Sequence, residues 1–232
     1  MDLRGVLFLI GICLGLPANT NAQDAIQPLD PDSVDRFLQA PRPAESALII
    51  DNLGAVYTHW GKSICSEQAT LVYSGFVGGT WYASKGGSST YLCMPMEPEY
   101  SLFIKKKQSR TVLQSSELQT PSKQIPAFGD LYQNTPACAV CQAFRRPAQF
   151  MFPARMTCPD GWTKEYDGYL MTANNRHRRT EYLCVDGQPE AVPNTSKNVN
   201  GALLYFVETN SKTHVPSTYT PERELTCSVC TK

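Results

Sequence analysis

The side chains whose type and spacing point most directly to chemistry are cysteines, which occur in two copies of one pattern. The first copy consists of Cys65, Cys93, Cys138 and Cys141, and the second of Cys158, Cys184, Cys227 and Cys230. The second copy follows the first by 93 residues at the first cysteine, 91 at the second and 89 at the last two. Cysteines in such a pattern can form disulfides, bind zinc through their Cys-x-x-Cys pairs, or act as a redox dithiol.

The neighbours of the cysteines repeat at the same step. Tyr73-Ser74-Gly75-Phe76 corresponds to Tyr166-Asp167-Gly168-Tyr169, and Tyr91-Leu92-Cys93 to Tyr182-Leu183-Cys184. A period near 90 residues is too long for a solenoid repeat. We therefore predict two tandem half-domains of one fold, residues 47–145 and 146–232, which could pack as one domain or stand as two small ones.

The N-terminus predicts export. Arg4 precedes a short apolar run over residues 6–16, and Thr20-Asn21-Ala22 offers a cleavage site after Ala22. An apolar run of about 11 residues is too short to cross a bilayer, which takes about 20. We expect residues 1–22 to be a signal peptide and the protein to be secreted and extracellular, without a membrane span; a buried N-terminal helix is the alternative.

Removal of the signal peptide takes away Cys13 and leaves eight of the nine cysteines. An even number of cysteines in an exported chain indicates four disulfides. Two zinc sites on the Cys-x-x-Cys pairs are the alternative that would be favoured in the cytosol. The chain carries 21 basic and 21 acidic residues, so nothing in its charge predicts a nucleic-acid partner.

Residues 23–46 are rich in Pro, Asp and Gln and predict a flexible arm. A short helix capped by Asp32 or Ser33 would place Val34, Phe37 and Leu38 on one face, for docking on the body or on a partner. The arm has no Gly-X-Y repeat, so the chain forms no collagen triple helix of its own.

From residue 47 onward the pattern predicts strands. Short β-branched and aromatic runs, separated by Gly, Pro, Ser and Asn, recur at residues 54–60, 71–76, 80–83, 90–94, 100–104, 139–144, 148–152, 168–173, 181–185 and 202–209. Polar residues 105–126 predict a long loop of the first half, with a counterpart near residues 190–200. The fold class is therefore all-β and rich in disulfides.

The spacing of each Cys-x-x-Cys limits how the cysteines pair. Three residues of extended strand cover about 10 Å, whereas a disulfide needs its Cα atoms within about 7 Å. Both members therefore pair outward, with the two single cysteines of the same half, in either of two ways. A redox dithiol would need a helix start, which a Val-containing β segment does not provide.

Several motifs, in order, carry a family resemblance. Thr157-Cys158-Pro159-Asp160-Gly161-Trp162 and the closing Cys-x-Val-Cys of each half resemble the C-terminal non-collagenous domain of type IV collagen. Spongin-type short-chain collagens are more similar still, over roughly residues 54–232. The motifs shared with them include Gly54-Ala55-Val56-Tyr57-Thr58-His59-Trp60-Gly61, Gly78-Gly79-Thr80-Trp81-Tyr82, Lys85-Gly86-Gly87 and Asn200-Gly201-Ala202-Leu203.

The resemblance implies a secreted matrix module of two similar β-rich halves. It also implies the pairs Cys65–Cys141, Cys93–Cys138, Cys158–Cys230 and Cys184–Cys227. The type IV domain trimerises, so a homo-oligomer is among the expected states. This chain differs from it in lacking Gly-X-Y repeats and in having four cysteines per half instead of six.

No residues form a catalytic or metal-binding constellation. His59, His177 and His214 lack metal-ligand spacing, and we expect His59 to be a packed or hydrogen-bonded strand histidine. Glu97 and Glu99 lie in a Pro-rich turn that predicts a solvated loop. We expect no enzyme activity, no metal and no cofactor.

Two local features suggest surface sites. Arg176, Arg178 and Arg179 form the densest positive cluster, which suits sulfated glycans, a processing site or simply a solvated loop. Asn194-Thr195-Ser196 fits the acceptor pattern for N-glycosylation.

These features lead to two functional hypotheses. The first is a secreted, non-enzymatic extracellular matrix protein that binds other matrix components. The alternative is a glycan-binding, lectin-like module using Arg176–Arg179 with exposed Trp81, Tyr82 and Trp162, although tryptophans also commonly pack in a core.

Overall fold

The structure is a computed structural model and describes residues 53–102, 105, 110–120, 125–210 and 216–232. The predicted signal peptide (1–22), the arm (23–46) and His214 lie outside these residues. The described residues all belong to one compact unit, Ala44–Lys232. The described part of the chain contains no helix with the length and apolar character needed to cross a bilayer.

The fold is all-β, as predicted. One short 3-10 helix, Pro126–Leu131, precedes β5. The ten strands of the described residues are β1 Val56–Trp60, β2 Ala69–Thr80, β3 Leu92–Pro95, β4 Leu113–Leu118, β5 Ala137–Ala143, β6 Gln149–Pro153, β7 Thr163–Thr172, β8 Leu183–Asp186, β9 Ala202–Phe206 and β10 Thr226–Thr231.

The first five and the last five strands carry the same pairings. In the first set, β5 lies between β1 and β2, and β2 also pairs with β3 and β4, all antiparallel. In the second set, β10 lies between β6 and β7, and β7 also pairs with β8 and β9, all antiparallel. Parallel pairs β1–β8 and β4–β9 join the two sets, so one sheet runs through both.

Equivalent irregularities mark the long strand of each set. An extra residue, Val72 in β2 and Glu165 in β7, bulges out of the ladder with the closing strand. The next residue along each strand is a tyrosine, Tyr73 or Tyr166. Its hydroxyl donates a 3.0 Å hydrogen bond to the carbonyl of the second cysteine of its set, Cys93 or Cys184.

Two glycines allow the long strand of each set to approach its neighbour. A Cβ on Gly75 would lie 1.7 Å from the carbonyl oxygen of Met94, and one on Gly168 would lie 1.9 Å from that of Val185. Cβ atoms do not approach backbone so closely, so both positions require glycine. This explains why a glycine follows the repeated tyrosine by two residues in each copy.

The cysteines form four disulfides, as predicted. These disulfides are Cys65–Cys141, Cys93–Cys138, Cys158–Cys230 and Cys184–Cys227. They are the pairs that the resemblance implies, and each links the closing strand of a set to its own set. All eight cysteines described are thereby consumed, which leaves no thiolate among them for zinc or for a redox dithiol.

Two hydrophobic clusters form the core, and each draws on both strand sets. One includes Leu118 and Phe128 together with Met171 and Leu204. The other joins Tyr57 and Cys141 to Tyr166, Leu170 and Cys227. Because each hydrophobic cluster contains residues of both sets, the two sets share one core.

Some strand predictions were wrong. The predicted strand at 80–83 is a turn, because β2 ends at Thr80, and residues 100–102 form no strand, while Phe103 and Ile104 lie outside the described residues. The predicted loop 105–126 contains β4, whose counterpart is β9, so only the part of the loop that precedes β4 corresponds to residues 190–200, which lie between β8 and β9. Strand β4 was missed because its middle residues, Gln114 to Glu117, are polar although Ser116 and Glu117 are buried.

Candidate functional site

The connections β2–β3 (residues 81–91) and β7–β8 (residues 173–182) face each other across a cleft. They occupy equivalent places in the two strand sets. The backbone N–H of Arg178 donates to the carbonyl of Tyr82 at 3.2 Å, and that of Glu181 donates to the carbonyl of Ser89 at 2.9 Å. These main-chain bonds hold the two connections together, and the Tyr91 N–H and hydroxyl add bonds to the side chains of Glu181 and Thr180 at 2.5 and 3.1 Å.

Local hydrogen bonds shape the first connection. The N–H of Ser84 donates to the carbonyl of Trp81 at 2.9 Å and closes a turn directly after β2. Gly87 has a φ of +103°, in the left-handed region that favours glycine. The Ser88 N–H donates to Thr80 Oγ1 at 3.2 Å, which ties the glycine turn back to the end of β2. Lys85 and Gly86 are therefore held at the exposed tip.

Asn174 and Thr180 shape the second connection. The Asn174 carbonyl accepts from the His177 N–H at 2.8 Å, and its side-chain oxygen accepts from the Arg176 N–H at 3.0 Å. Thr180 Oγ1 accepts from the Ala173 N–H at 3.1 Å. The chain thus reverses tightly between β7 and β8, and Asn and Thr are the residue types that stabilise such turns.

The cleft has a volume of about 410 Å³, which falls in the range of small-ligand pockets. Its described lining includes the cations Lys85, Arg178 and Arg179 but neither Asp nor Glu. Within the described part of the chain, none of these three cations forms an ion pair. The nearby Glu181 carboxylate is absent from the lining and accepts a hydrogen bond from the Tyr91 N–H at 2.5 Å. The three cations of the lining therefore make the cleft attractive to anions.

Aromatic rings form one wall. Trp81 is 45% exposed, and its ring meets Tyr82 edge-on at 5.5 Å between centroids. Tyr82 packs at 4.6 Å on His177, which in turn contacts Tyr205 at 5.5 Å. Burial lowers the pKa of His177, so this histidine is neutral at pH 7 and the positive charge of the cleft comes from Lys and Arg.

A second groove of about 490 Å³ borders the same tip. Trp81, Lys85 and Gly86 line both cavities, and the lining of the second includes Arg110 to Val112 and Gln114, at and before the start of β4. The tip of the first connection therefore has a cavity on either part of its surface.

The residues predicted for glycan binding separate into two groups. Arg178 and Arg179 line the cleft together with Trp81 and Tyr82. Arg176 is exposed but is absent from the lining. Trp162 is half-buried with its ring edge-to-face on Phe150 at 4.7 Å, so it is less exposed than Trp81 and does not line the cleft.

Lys85 was not singled out as a cleft residue from the sequence. The available signal was the repeat itself, since Tyr91 and Tyr182 end equivalent connections. That signal shows that the connections are equivalent, but not that they meet, which depends on how the two sets pack.

His59 is a packed and hydrogen-bonded strand histidine, as expected. It is 5% exposed, its Nε2 lies 2.7 Å from Asp186 Oδ2, and its ring stacks on Tyr166 at 4.0 Å. Glu97 and Glu99 are exposed outside any strand. Among the described residues, no group of three or more His, Cys, Asp or Glu side chains is placed to hold a metal ion.

A buried carboxylate between the two strand sets was not anticipated. The Glu165 side chain is fully buried and accepts hydrogen bonds from Tyr57 at 3.0 Å, from Arg146 at 2.7 Å, and from the hydroxyls of Ser66 and Thr231. Burial raises the pKa of Glu165, but these four donors outweigh it and hold the pKa below its ordinary value. The Glu165 side chain has no exposed surface, and its partners come from both strand sets, so we assign this network a structural role.

The predicted glycosylation site lies on the surface. Asn194 is exposed in the connection that follows β8, with a φ of 63°, which Asn tolerates better than most residues. Thr195 Oγ1 holds the turn by donating to the Val192 carbonyl at 2.6 Å.

The search against protein-family models found no family whose model matches this chain. Lys and Arg supply only donors and positive charge, and exposed Trp81 supplies an apolar ring face. Such an arrangement is chemically suited to anionic, ring-containing ligands.

Proposed function

We propose that this chain is a secreted, non-enzymatic extracellular matrix protein built from two tandem half-domains. The observation that carries the proposal is the repetition of the five-strand pairing, with the same bulge and the same disulfide positions, in residues 56–143 and 149–231. A duplication of one ancestral unit accounts for all of these repeats with one event.

The disulfides support a place outside the cell. Disulfides persist in oxidising compartments, and each here closes a loop of between 43 and 76 residues. Loops of this length constrain the unfolded chain strongly. A body stapled in this way resists heat and proteolysis, which suits a long-lived matrix component.

The likeness to the non-collagenous domains of type IV and spongin-type collagens gives the proposal its class. The proposal takes from this likeness the repeated β unit held by disulfides. Assembly into a homo-oligomer belongs to the same proposal and is tested by light scattering of the purified protein.

Binding to immobilised collagens and matrix extracts tests the function directly. The folded, secreted protein should bind at least one component saturably, whereas the reduced and alkylated protein should not. Recovery of the chain from the culture medium, beginning at Gln23, tests the export signal independently. A folded protein that binds none of the matrix components would contradict the proposal.

The second candidate is a glycan-recognition module, and the cleft between the two connections favours it. Trp81 and Tyr82 lie beside Arg178 and Arg179 there. On a glycan array, this candidate predicts a saturable signal that charge reversal at Arg178 abolishes, with the fold intact.

A further inference from the structure

We propose that the cleft between residues 81–91 and 173–182 binds a sulfated glycosaminoglycan, with a sugar ring on Trp81 and sulfate groups on Lys85, Arg178 and Arg179. The inference deepens the proposed matrix function, on which it rests, by naming the site and the class of partner. The inference is based on the position of the exposed Trp81 indole beside three cations.

The charges select an anionic sugar over a neutral one. Lys85, Arg178 and Arg179 can only donate hydrogen bonds, and the described lining has no carboxylate to accept bonds from sugar hydroxyls. Sulfate groups are negative and accept several hydrogen bonds each. The guanidinium groups of Arg178 and Arg179 can bind such oxyanions in a bidentate manner.

The exposed ring selects a ring-containing ligand over a free anion. Trp81 remains 45% exposed although Tyr82 packs against one of its sides, and large apolar rings usually find cover. The apolar C–H face of a pyranose ring would cover the indole while its substituents remain within reach of the cations.

The presence of two cavities favours a chain over a single sugar. The cleft of about 410 Å³ and the groove of about 490 Å³ along residues 110–114 both border the turn that holds Lys85. A polysaccharide that passes this turn can contact both cavities, whereas a single sugar can occupy only one.

The site is composite, because one wall comes from each strand set. Tyr82 and Lys85 belong to the connection of the first set, and Arg178 and Arg179 to that of the second. The main-chain bond from Arg178 to Tyr82 already couples the walls. A ligand that contacts both walls adds to this coupling, so binding should raise the melting temperature of the whole body.

Single-stranded nucleic acid is the competing class of ligand, since it also combines stacking with phosphate charge. The equal numbers of basic and acidic residues in the chain and the cleft's confinement to three cations argue against it. Non-specific nucleic-acid binding depends on contacts to many phosphates.

The test is a titration of the full secreted protein, by calorimetry at physiological salt. The probes are a heparin-derived oligosaccharide, the same oligosaccharide after desulfation and N-acetylation, single-stranded DNA of matched charge, and inorganic sulfate. We expect saturable binding of the sulfated oligosaccharide alone. Equal affinity for DNA or for the desulfated oligosaccharide, or binding of inorganic sulfate as tight as that of the oligosaccharide, overturns the proposal.

Variants then locate the site. Arg178→Glu, Arg179→Glu and Lys85→Glu should each weaken binding about tenfold or more, as loss of a charge-assisted contact predicts. Arg176→Glu is the matched control: the same change, in the same connection but outside the lining, should stay within about twofold. If Arg176→Glu and Arg178→Glu weaken the affinity for the sulfated oligosaccharide equally, the attraction is a general effect of charge. That result would overturn the assigned site.

Trp81 tests the contribution of the ring. Trp81→Ala should weaken binding of the sulfated oligosaccharide about tenfold, whereas Trp81→Phe, which keeps a ring face, should retain most of the affinity. Circular dichroism and the absence of free thiols establish that each variant is folded. If the sulfated oligosaccharide does not bind in the cleft but the protein still binds collagens, the cleft is not a glycosaminoglycan site. The proposed matrix function would then remain supported.

Discussion

The hydroxyl of Tyr57 in β1 donates a 3.0 Å hydrogen bond to the carboxylate of Glu165 on the bulge of β7. The two residues are 108 apart in the sequence and belong to different strand sets. Burial of the Tyr57 hydroxyl, together with the neighbouring carboxylate, raises the pKa of Tyr57 to about 12. At neutral pH a protonated phenol therefore faces an ionised, buried carboxylate, which fixes how one set lies on the other.

Replacement of Glu165 should destabilise the whole fold. Glu165→Ala leaves Arg146 without its ion-pair partner in a largely buried position, and breaking a buried pair costs about 3–5 kcal/mol. Urea unfolding followed by circular dichroism measures the loss. Glu67→Ala, at an exposed position in the turn before β2, is the control and should stay within about 0.5 kcal/mol. A small effect of Glu165→Ala would contradict the network.

The same carboxylate predicts a pH dependence of stability. The pKa of folded Glu165 lies below the ordinary 4.5, so the unfolded chain takes up a proton first as the pH falls. The stabilisation by Glu165 is therefore complete above pH 4.5 and is lost as the pH decreases through the folded pKa. Urea unfolding of the natural chain and of Glu165→Gln over about five pH units, from about pH 2 to about pH 7, should give two stability curves that converge at the acid end. Parallel curves would count against this assignment.

The two required glycines test the equivalence of the strand sets. Gly75→Ala and Gly168→Ala each force a Cβ into a backbone carbonyl, at 1.7 and 1.9 Å. Both should lower the free energy of unfolding by about 3 kcal/mol or more. Gly86→Ala, where no atom lies within 4 Å of the added Cβ, is the matched control and should be close to neutral. A large loss at only one of the two positions would show that the sets are not equivalent.

Equivalent disulfides should contribute equally to stability. Cys93–Cys138 and Cys184–Cys227 have sequence separations of 45 and 43 residues, for which chain entropy predicts about 4 kcal/mol each. The double alanine variants, compared by urea unfolding, should therefore lose similar amounts. Peptide mapping by mass spectrometry without reduction should recover the same four pairs, and any other pairing would refute the proposed architecture.

Asn194 should carry a glycan when the protein passes through a eukaryotic secretory pathway. The side chain is exposed in a turn at positive φ, so a transferase can reach it. Enzymatic deglycosylation should reduce the mass of the secreted chain. Ser196→Ala removes the acceptor pattern but leaves Asn194 and the hydrogen bond of Thr195 in place, so it should abolish that mass shift. An unchanged shift in this variant would assign the glycan elsewhere.

Several strands could be predicted because they carry their own signal. Residues 54–60 contain β-branched and aromatic residues at alternating positions, and β1 occupies Val56–Trp60. Strand β4 could not be predicted in this way, because its Ser116 and Glu117 are buried polar residues. The Glu117 carboxylate accepts from the N–H groups of Val199 and Gly201 at 3.1 and 3.0 Å, so its burial depends on partners more than 80 residues away.

The cleft was likewise predictable only in part from the sequence. The charge of Arg178 and the aromatic character of Trp81 were visible in the sequence, but their meeting depends on the contact between the two connections. Arg176 was equally prominent as a charge, and the turn held by Asn174 places it outside the lining.

The sequence by itself determined the cysteine framework, the β class and the period of the repeat, because cysteine spacing and strand alternation are local properties of the chain. Only the tertiary structure decided that Glu165 is buried while Val72, at the equivalent bulge 93 residues earlier, is 57% exposed. The two positions share a backbone geometry, but one faces the other strand set and the other faces solvent. Burial follows from how the sets pack on each other, and no local pattern in a repeated sequence records that asymmetry.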